Sequence, residues 1–157
     1  MMNKRWMLAL AAVILISVMT GIVLAQTIFS VNVTGTVTVS GAVVNVVSVS
    51  FAGTACPIQT AGGQVVNSPC GFFTATVGSA LPLTVKLQNP TSTPVPISVS
   101  TTTNNPAVLN VSPTGTNPLV INGTSTAEYS FNVECVGSGG SGFTVAISSP
   151  SAFVPYP

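Results

Sequence analysis

The sequence predicts an all-β protein: an antiparallel β-sandwich, jelly-roll or Ig-like, with an extended strand opening the mature chain. Three observations predict it. After residue 25 helix formers are scarce, and Val, Ile, Thr and aromatic residues recur between clusters of Gly, Pro, Asn and Ser, the composition of strands and turns. Several segments alternate apolar and polar residues, which puts one kind of side chain on each face of a strand. One-sided alternation belongs to antiparallel sheets with one buried face, and two such sheets pack face to face as a sandwich.

The chain opens with a leader. Lys4 and Arg5 precede an almost wholly apolar run, 6–25, that closes on Val23-Leu24-Ala25. A basic start, an apolar centre and small residues at the −1 and −3 positions describe a secretory signal peptide, 1–25, cleaved after Ala25. The run is also about 20 residues long, enough to cross a bilayer, so a retained anchor is the rival reading. A third is a type IV pilin-like leader cut beside Lys4-Arg5. The Val-x-Ala site favours cleavage, and the protein is expected to be secreted, extracellular or on the cell surface.

The next stretch is QTIFSVNVTGTVTVSGAVV, 26–44. Phe29, Val31, Val33, Gly35, Val37, Val39, Gly41 and Val43 share one parity; Ser30, Asn32, Thr34, Thr36, Thr38 and Ser40 share the other. Such a strand runs for about 15 residues where about 5–6 is typical. Gly35 and Gly41 divide it into 27–34, 36–40 and 42–51. The later pieces are expected to supply the domain's own first strands, and the first to project. This gives an N-terminal donor strand, 26–35, ahead of a β-sandwich domain, 36–157.

Further strands are expected at 43–51, 71–77, 81–88, 95–101, 108–111, 119–121, 126–134 and 142–148. Leu81, Leu83, Val85 and Leu87 face one way, with Thr84, Lys86 and Gln88 opposite. Tyr129, Phe131, Val133 and Cys135 form another apolar face, with Ser130, Asn132 and Glu134 outward. Asn89-Pro90, 91–96, Asn104-Asn105-Pro106 and 113–118 read as turns, and the glycine-rich 137–142 as a flexible loop. No repeat of fixed period occurs, which excludes solenoids and propellers.

Hydrophobic residues make up 46% of the chain and charged residues only 3%, against about 25% charged in ordinary soluble domains. The charges are Lys4, Arg5, Lys86, Glu128 and Glu134, with no Asp and no His. Beyond the leader, Lys86 stands against two glutamates. No basic patch remains, so nucleic acid is not an expected partner. A nearly neutral surface favours association. Two readings stay open: a secreted protein kept soluble by glycans, or a subunit meant to assemble.

The cysteines are Cys56, Cys70 and Cys135, and a secreted chain permits disulfides. A Cys56–Cys70 bond would close a loop of about 15 residues and stabilise by roughly 3 kcal/mol. Cys135 lies on the inward face of its strand and is an alternative partner across the sandwich. Three sequons, at Asn32, Asn110 and Asn122, are N-glycosylation candidates: Asn32 on the polar face of the opening strand, the others near turns.

No catalytic residue, cofactor or metal ligand is expected, and the protein is not expected to be an enzyme. Without His or Asp, triads that use them are impossible. Glu128 and Glu134 share a strand face about 20 Å apart at strand rise, too far for a glycosidase pair. Three separated cysteines without His lack zinc spacing. Calcium has no carboxylate cluster, and 137–142 lacks the lysine and helix of a phosphate loop.

The segments LPLTVKLQNPTSTPVPISVS and LVINGTSTAEYSFNV resemble extracellular Ig-like or jelly-roll modules. The leader ending in Ala25, the opening strand QTIFSVNVTGTVTVSG and the low-charge body together resemble the archaeal bundling pili, which are similar to the TasA biofilm fibre subunit. The sequons and the scarcity of charge also resemble archaeal thread filaments. The resemblance implies a structural subunit of a pilus-like extracellular filament for biofilm or cell–cell adhesion. Identical subunits would join head to tail by donor-strand complementation, and filaments would associate in bundles. It implies Phe29, Val31 and Val33 as donor-strand anchors. Strand addition supplies main-chain hydrogen bonds and pockets for alternate side chains, and a head-to-tail contact propagates where it does not close. The alternative is a monomeric secreted or surface-anchored Ig-like adhesion or cell-envelope module, with 27–40 folded onto its own domain. The proline-rich tail, 153–157, reads as a frayed end or an edge cover.

Overall fold

The computed structural model describes residues 30–41, 43–60 and 65–149. The leader, Phe29 and the tail lie outside the described residues. Within them the chain is all-β. The strands are β1 (Ser30–Ser40), β2 (Asn45–Phe51), β3 (Thr54–Ala55), β4 (Gln59–Thr60), β5 (Val65–Thr76) and β6 (Ala80–Gln88). They continue with β7 (Val95–Pro96), β8 (Ser98–Thr103), β9 (Leu109–Pro113), β10 (Val120–Ile121), β11 (Thr126–Cys135) and β12 (Gly139–Ser148).

Two five-stranded sheets pack against each other. Sheet A has the order β4-β5-β1-β12-β8, sheet B the order β3-β2-β6-β11-β9, and β10 and β7 form a short ribbon. All these pairings are antiparallel except one: β1 runs parallel to β12.

Alternation decides which faces meet. Leu83, Val85 and Leu87 of β6 and Tyr129, Phe131, Val133 and Cys135 of β11 are buried, as their parity predicts. Opposite them, sheet A contributes Val31, Val33, Val37 and Val39 from β1 and Phe143, Val145 and Ile147 from β12. Phe51 sits at the centre, edge-on to Phe73 (4.7 Å between ring centroids) and Phe143 (5.1 Å), a geometry that suits the charge distribution of aromatic rings.

Loops are fixed by polar groups that bond back to the main chain. Asn89 is fully buried. Its Nδ2 donates to the carbonyls of Thr93 (2.7 Å), Ile121 (3.0 Å) and Asn122 (3.2 Å), and its Oδ1 accepts from Thr91 N (2.9 Å) and Oγ1 (2.7 Å). The Asn89-Pro90 turn is therefore a clip that joins the β6–β7 and β10–β11 connections. Tyr129 Oη donates to Pro118 O at 2.7 Å.

Three expectations change. The strand expected over 95–101 is divided at Ile97, a buried residue whose amide turns to Leu119 O at 2.8 Å. The segment expected from residue 71 starts at Val65, since β1 gives it a longer partner. The glycine-rich segment expected as a loop is strand from Gly139 on: Gly139 to Gly142 lie in register with Val31 to Thr34. Glycine shows no alternation, so only a partner strand reveals that segment as sheet.

Candidate functional site: strand β1 and its slot

β1 is where composition, topology and packing converge. Its valines are β-branched and suit a pleated buried face; the intervening Asn, Thr and Ser suit a wet one. The strand lies between β5 on one side and β12 on the other. Val33 faces Phe73 on β5 and Ser141 on β12; Val37 faces Ser68 and Val145. Both main-chain edges are thus paired along most of its length.

Val31 and Val33 are 0% exposed. In the single chain these two expected anchors are sealed in the core of the molecule that carries them, and they do not project. Phe29 lies outside the described residues. Nor does Gly35 divide the strand. β1 runs through it without a break, across the expected boundary between 26–35 and 36–157. The reason is steric. Gly35 pairs with Phe143, and a Cβ there would collide with three carbons of that ring. The glycine is a vacancy for an aromatic ring, and the irregularity sits across from it, where the β5 register shifts between Thr34 and Gly35.

The slot walls are held independently of β1. Cys56 and Cys70 are disulfide-bonded, with a Cα–Cα distance of 4.7 Å, and Ser68 Oγ donates to Pro57 O at 2.9 Å. Both tie β5 to the segment that follows β3. Cys135 is free and buried. On the other wall β12 is backed by β8 over Phe143 to Ser148. At the exit of β1, Ser149 N donates to Ser40 O at 2.9 Å. Gly41 then turns the chain with φ 117°, a conformation open mainly to glycine.

The slot carries no charge. None of the five strands of sheet A has an ionisable side chain; Lys86 lies on β6 and Glu128 and Glu134 on β11, all in sheet B. Lys86 and Glu128 occupy directly opposed register positions. Among the described residues no group of three or more His, Cys, Asp or Glu side chains gathers to hold a metal. Among the described residues the one marked titration is that of Tyr129, whose phenol burial pushes up to about 12.

The sequons fall in three settings. Asn32 is exposed on the outer face of β1, Asn110 on edge strand β9, and Asn122 in the turn between β10 and β11. Two features of the site escaped the sequence reading: the parallel pairing of β1 with β12, and the outward ring of Phe72. The second had a signal, because Phe72 and Phe73 are adjacent in a strand and must face opposite ways. No protein-family model matches the chain, and no curated protein matches it in sequence.

Proposed function

We propose that the chain is a structural subunit of an extracellular filament in which β1 of one copy fills the slot between β5 and β12 of the next. One observation carries the reading: β1 is a two-sided insert with a parallel pairing, joined to the remaining strands by residues 41–44 alone. Exchange of an identical element between copies keeps every pairing the single chain makes and costs little beyond opening that connection. The exchanged strand brings Val31 and Val33 into a neighbour's core as anchors, with Phe29 as the third. A subunit that both gives and receives a strand adds head to tail, and an uncharged face suits lateral contact between such filaments in bundles. The leader and the export it directs belong to the same reading.

The second reading, a monomeric secreted or surface-anchored Ig-like adhesion or cell-envelope module, draws on the closed position of β1 in the single chain.

A cysteine pair separates the two. Thr38 and Asn67 face each other across β1 and β5, 3.2 Å apart at Thr38 Oγ1 and Asn67 Oδ1. The double variant Thr38→Cys/Asn67→Cys is secreted, concentrated and then oxidised. Exchange yields a ladder of disulfide-linked multimers on a non-reducing gel, and fibres by negative-stain microscopy. A single monomer band overturns the filament reading in favour of the module.

A further inference from the structure

We propose that Asn32 carries an N-linked glycan whose first sugar lies on the ring of Phe72. The inference uses the export part of the reading above and is independent of filament formation.

Phe72 is 68% exposed, and among the described residues it is the one aromatic side chain left open to solvent. It stands on the outer face of sheet A, where its neighbours on β1 and β5 are Asn32, Thr34 and Thr74. Its direct neighbour across the strand pair is Thr34, and Asn32 pairs with Thr74 one step along the same face. The ring is therefore diagonal to Asn32, at a spacing long side chains bridge. Asn32 and Thr34 are the first and third residues of a sequon, and both point outward. Asn32 Oδ1 accepts from Thr74 Oγ1 at 3.3 Å, which orients the amide, while Nδ2 has no partner among the described residues.

The other flank of Asn32 is bare. Gly140 and Gly142 of β12 lie in register with Asn32 and Thr34. Nothing occupies the space where a Cβ of Gly140 would stand, and Asn104 Nδ2 lies at the rim beside Gly142. The result is an uncharged trough, with an aromatic wall, a glycine floor and an amide at its edge. A neutral sugar fits this chemistry: the C–H face of a pyranose is electropositive and the ring face electronegative, and the hydroxyls reach Asn104 and the threonines. Asn110 and Asn122 are exposed as well but have no exposed aromatic residue on their strand or turn.

The modification is a glycosyl transfer from a lipid-linked oligosaccharide diphosphate. Asn32 Nδ2 forms a bond to C1 of the first sugar and gives up one proton. The C1–O bond to the diphosphate breaks, and the lipid diphosphate leaves with the electron pair. No oxidant or reductant takes part; a membrane transferase of the exporting cell supplies the catalysis. Because Asn32 travels with β1, the sugar meets Phe72 of whichever molecule houses the strand and latches it there.

The test uses a yeast that glycosylates secreted proteins, with the host leader in place of residues 1–25 so that export is assured. The chain with its own leader is expressed in parallel; its retention inside the cell would count against the export reading alone. Glycopeptide mass spectrometry is expected to find Asn32 occupied. The glycosylated wild type is expected to melt about 3 °C above Asn32→Gln, and that gap is expected to vanish in a Phe72→Ala background. A bare Asn32 in a sample where a co-secreted reporter is glycosylated overturns the proposal. So does a melting gap that survives Phe72→Ala.

Discussion

The two sheets are built on different plans. Sheet B is antiparallel throughout, and it holds Lys86, Glu128 and Glu134 on its strands. Sheet A has no ionisable side chain on its strands, and its central position is taken by β1, paired parallel to β12. A parallel pairing needs a long return path, and here that path is nearly the whole chain: β1 opens the described residues and β12 closes them. No pairing in sheet B joins residues further apart than Ala80 and Glu134, whereas sheet A joins Val31 to Gly139 and so waits for its first strand to meet its last. On the filament reading, this difference marks where a strand of another copy would enter. A strand of sheet B is tied at both ends into short connections; β1 is tied only at its C-terminal end within the described chain.

That contrast can be broken most directly at Gly35. The substitution Gly35→Ala forces a methyl group against the Phe143 ring, which Phe51 already confines. Overpacking of this kind costs about 3 kcal/mol, read as a fall in the urea midpoint. Trimming the ring in Gly35→Ala/Phe143→Leu should recover part of the loss, a coupling that neighbours in contact show. Gly71→Ala is the control. Its Cβ would meet nothing within 4 Å, and the change should stay within about 0.5 kcal/mol. Equal losses at the two glycines would show that backbone freedom, and not the ring, sets the cost.

Next in size is the disulfide that braces the β5 wall. Cys56→Ser/Cys70→Ser reopens a loop closed at a sequence separation of 14, with an expected loss of about 3 kcal/mol in the chain-entropy picture. If sheet A is the plan that depends on a held slot, hydrogen exchange should rise first in β5 and β1 and leave β6 and β11 protected. Uniform exchange across both sheets would dissolve the distinction drawn between them.

The parts of this architecture that the sequence made legible are those carried by alternation. The inward faces of β6 and β11 follow from parity alone, and so does the burial of Val31 and Val33 on one side of β1. Alternation says which residues turn inward, however, and not in whose interior they end. The projecting strand rests on the length of the run and on Gly35 read as punctuation, and glycine has two unrelated uses: it breaks strands, and it leaves room. Only the Phe143 ring tells them apart. The sequence leaves the disulfide open between Cys56–Cys70 and a bridge that uses Cys135, because connectivity depends on which strands become neighbours. The strand character of 139–142 was hidden for the same reason, since a run of Gly and Ser carries no pattern of its own.

The smallest effect belongs to sheet B and probes the opposite plan. Tyr129 is fully buried on β11 with its hydroxyl on Pro118 O. Removing that hydroxyl in Tyr129→Phe leaves the carbonyl of Pro118 short of one donor, at about 1 kcal/mol. The phenol also gives a pH signature. Burial raises its pKa from 10.0 to about 12, so the folded chain holds a proton that the unfolded chain releases. The contribution of Tyr129 is complete below pH 10, declines as pH rises through the window from 10 to 12, and is lost above it. Stability of the wild type should therefore fall across that window more steeply than that of Tyr129→Phe, measured by urea unfolding at closely spaced pH values. Since β1 carries no titrating group, conditions near pH 11 should loosen sheet B before the slot in sheet A. Parallel slopes for the two proteins would mean that the hydroxyl is hydrated in the fold and that the Pro118 contact does not anchor the β11 side of the sandwich.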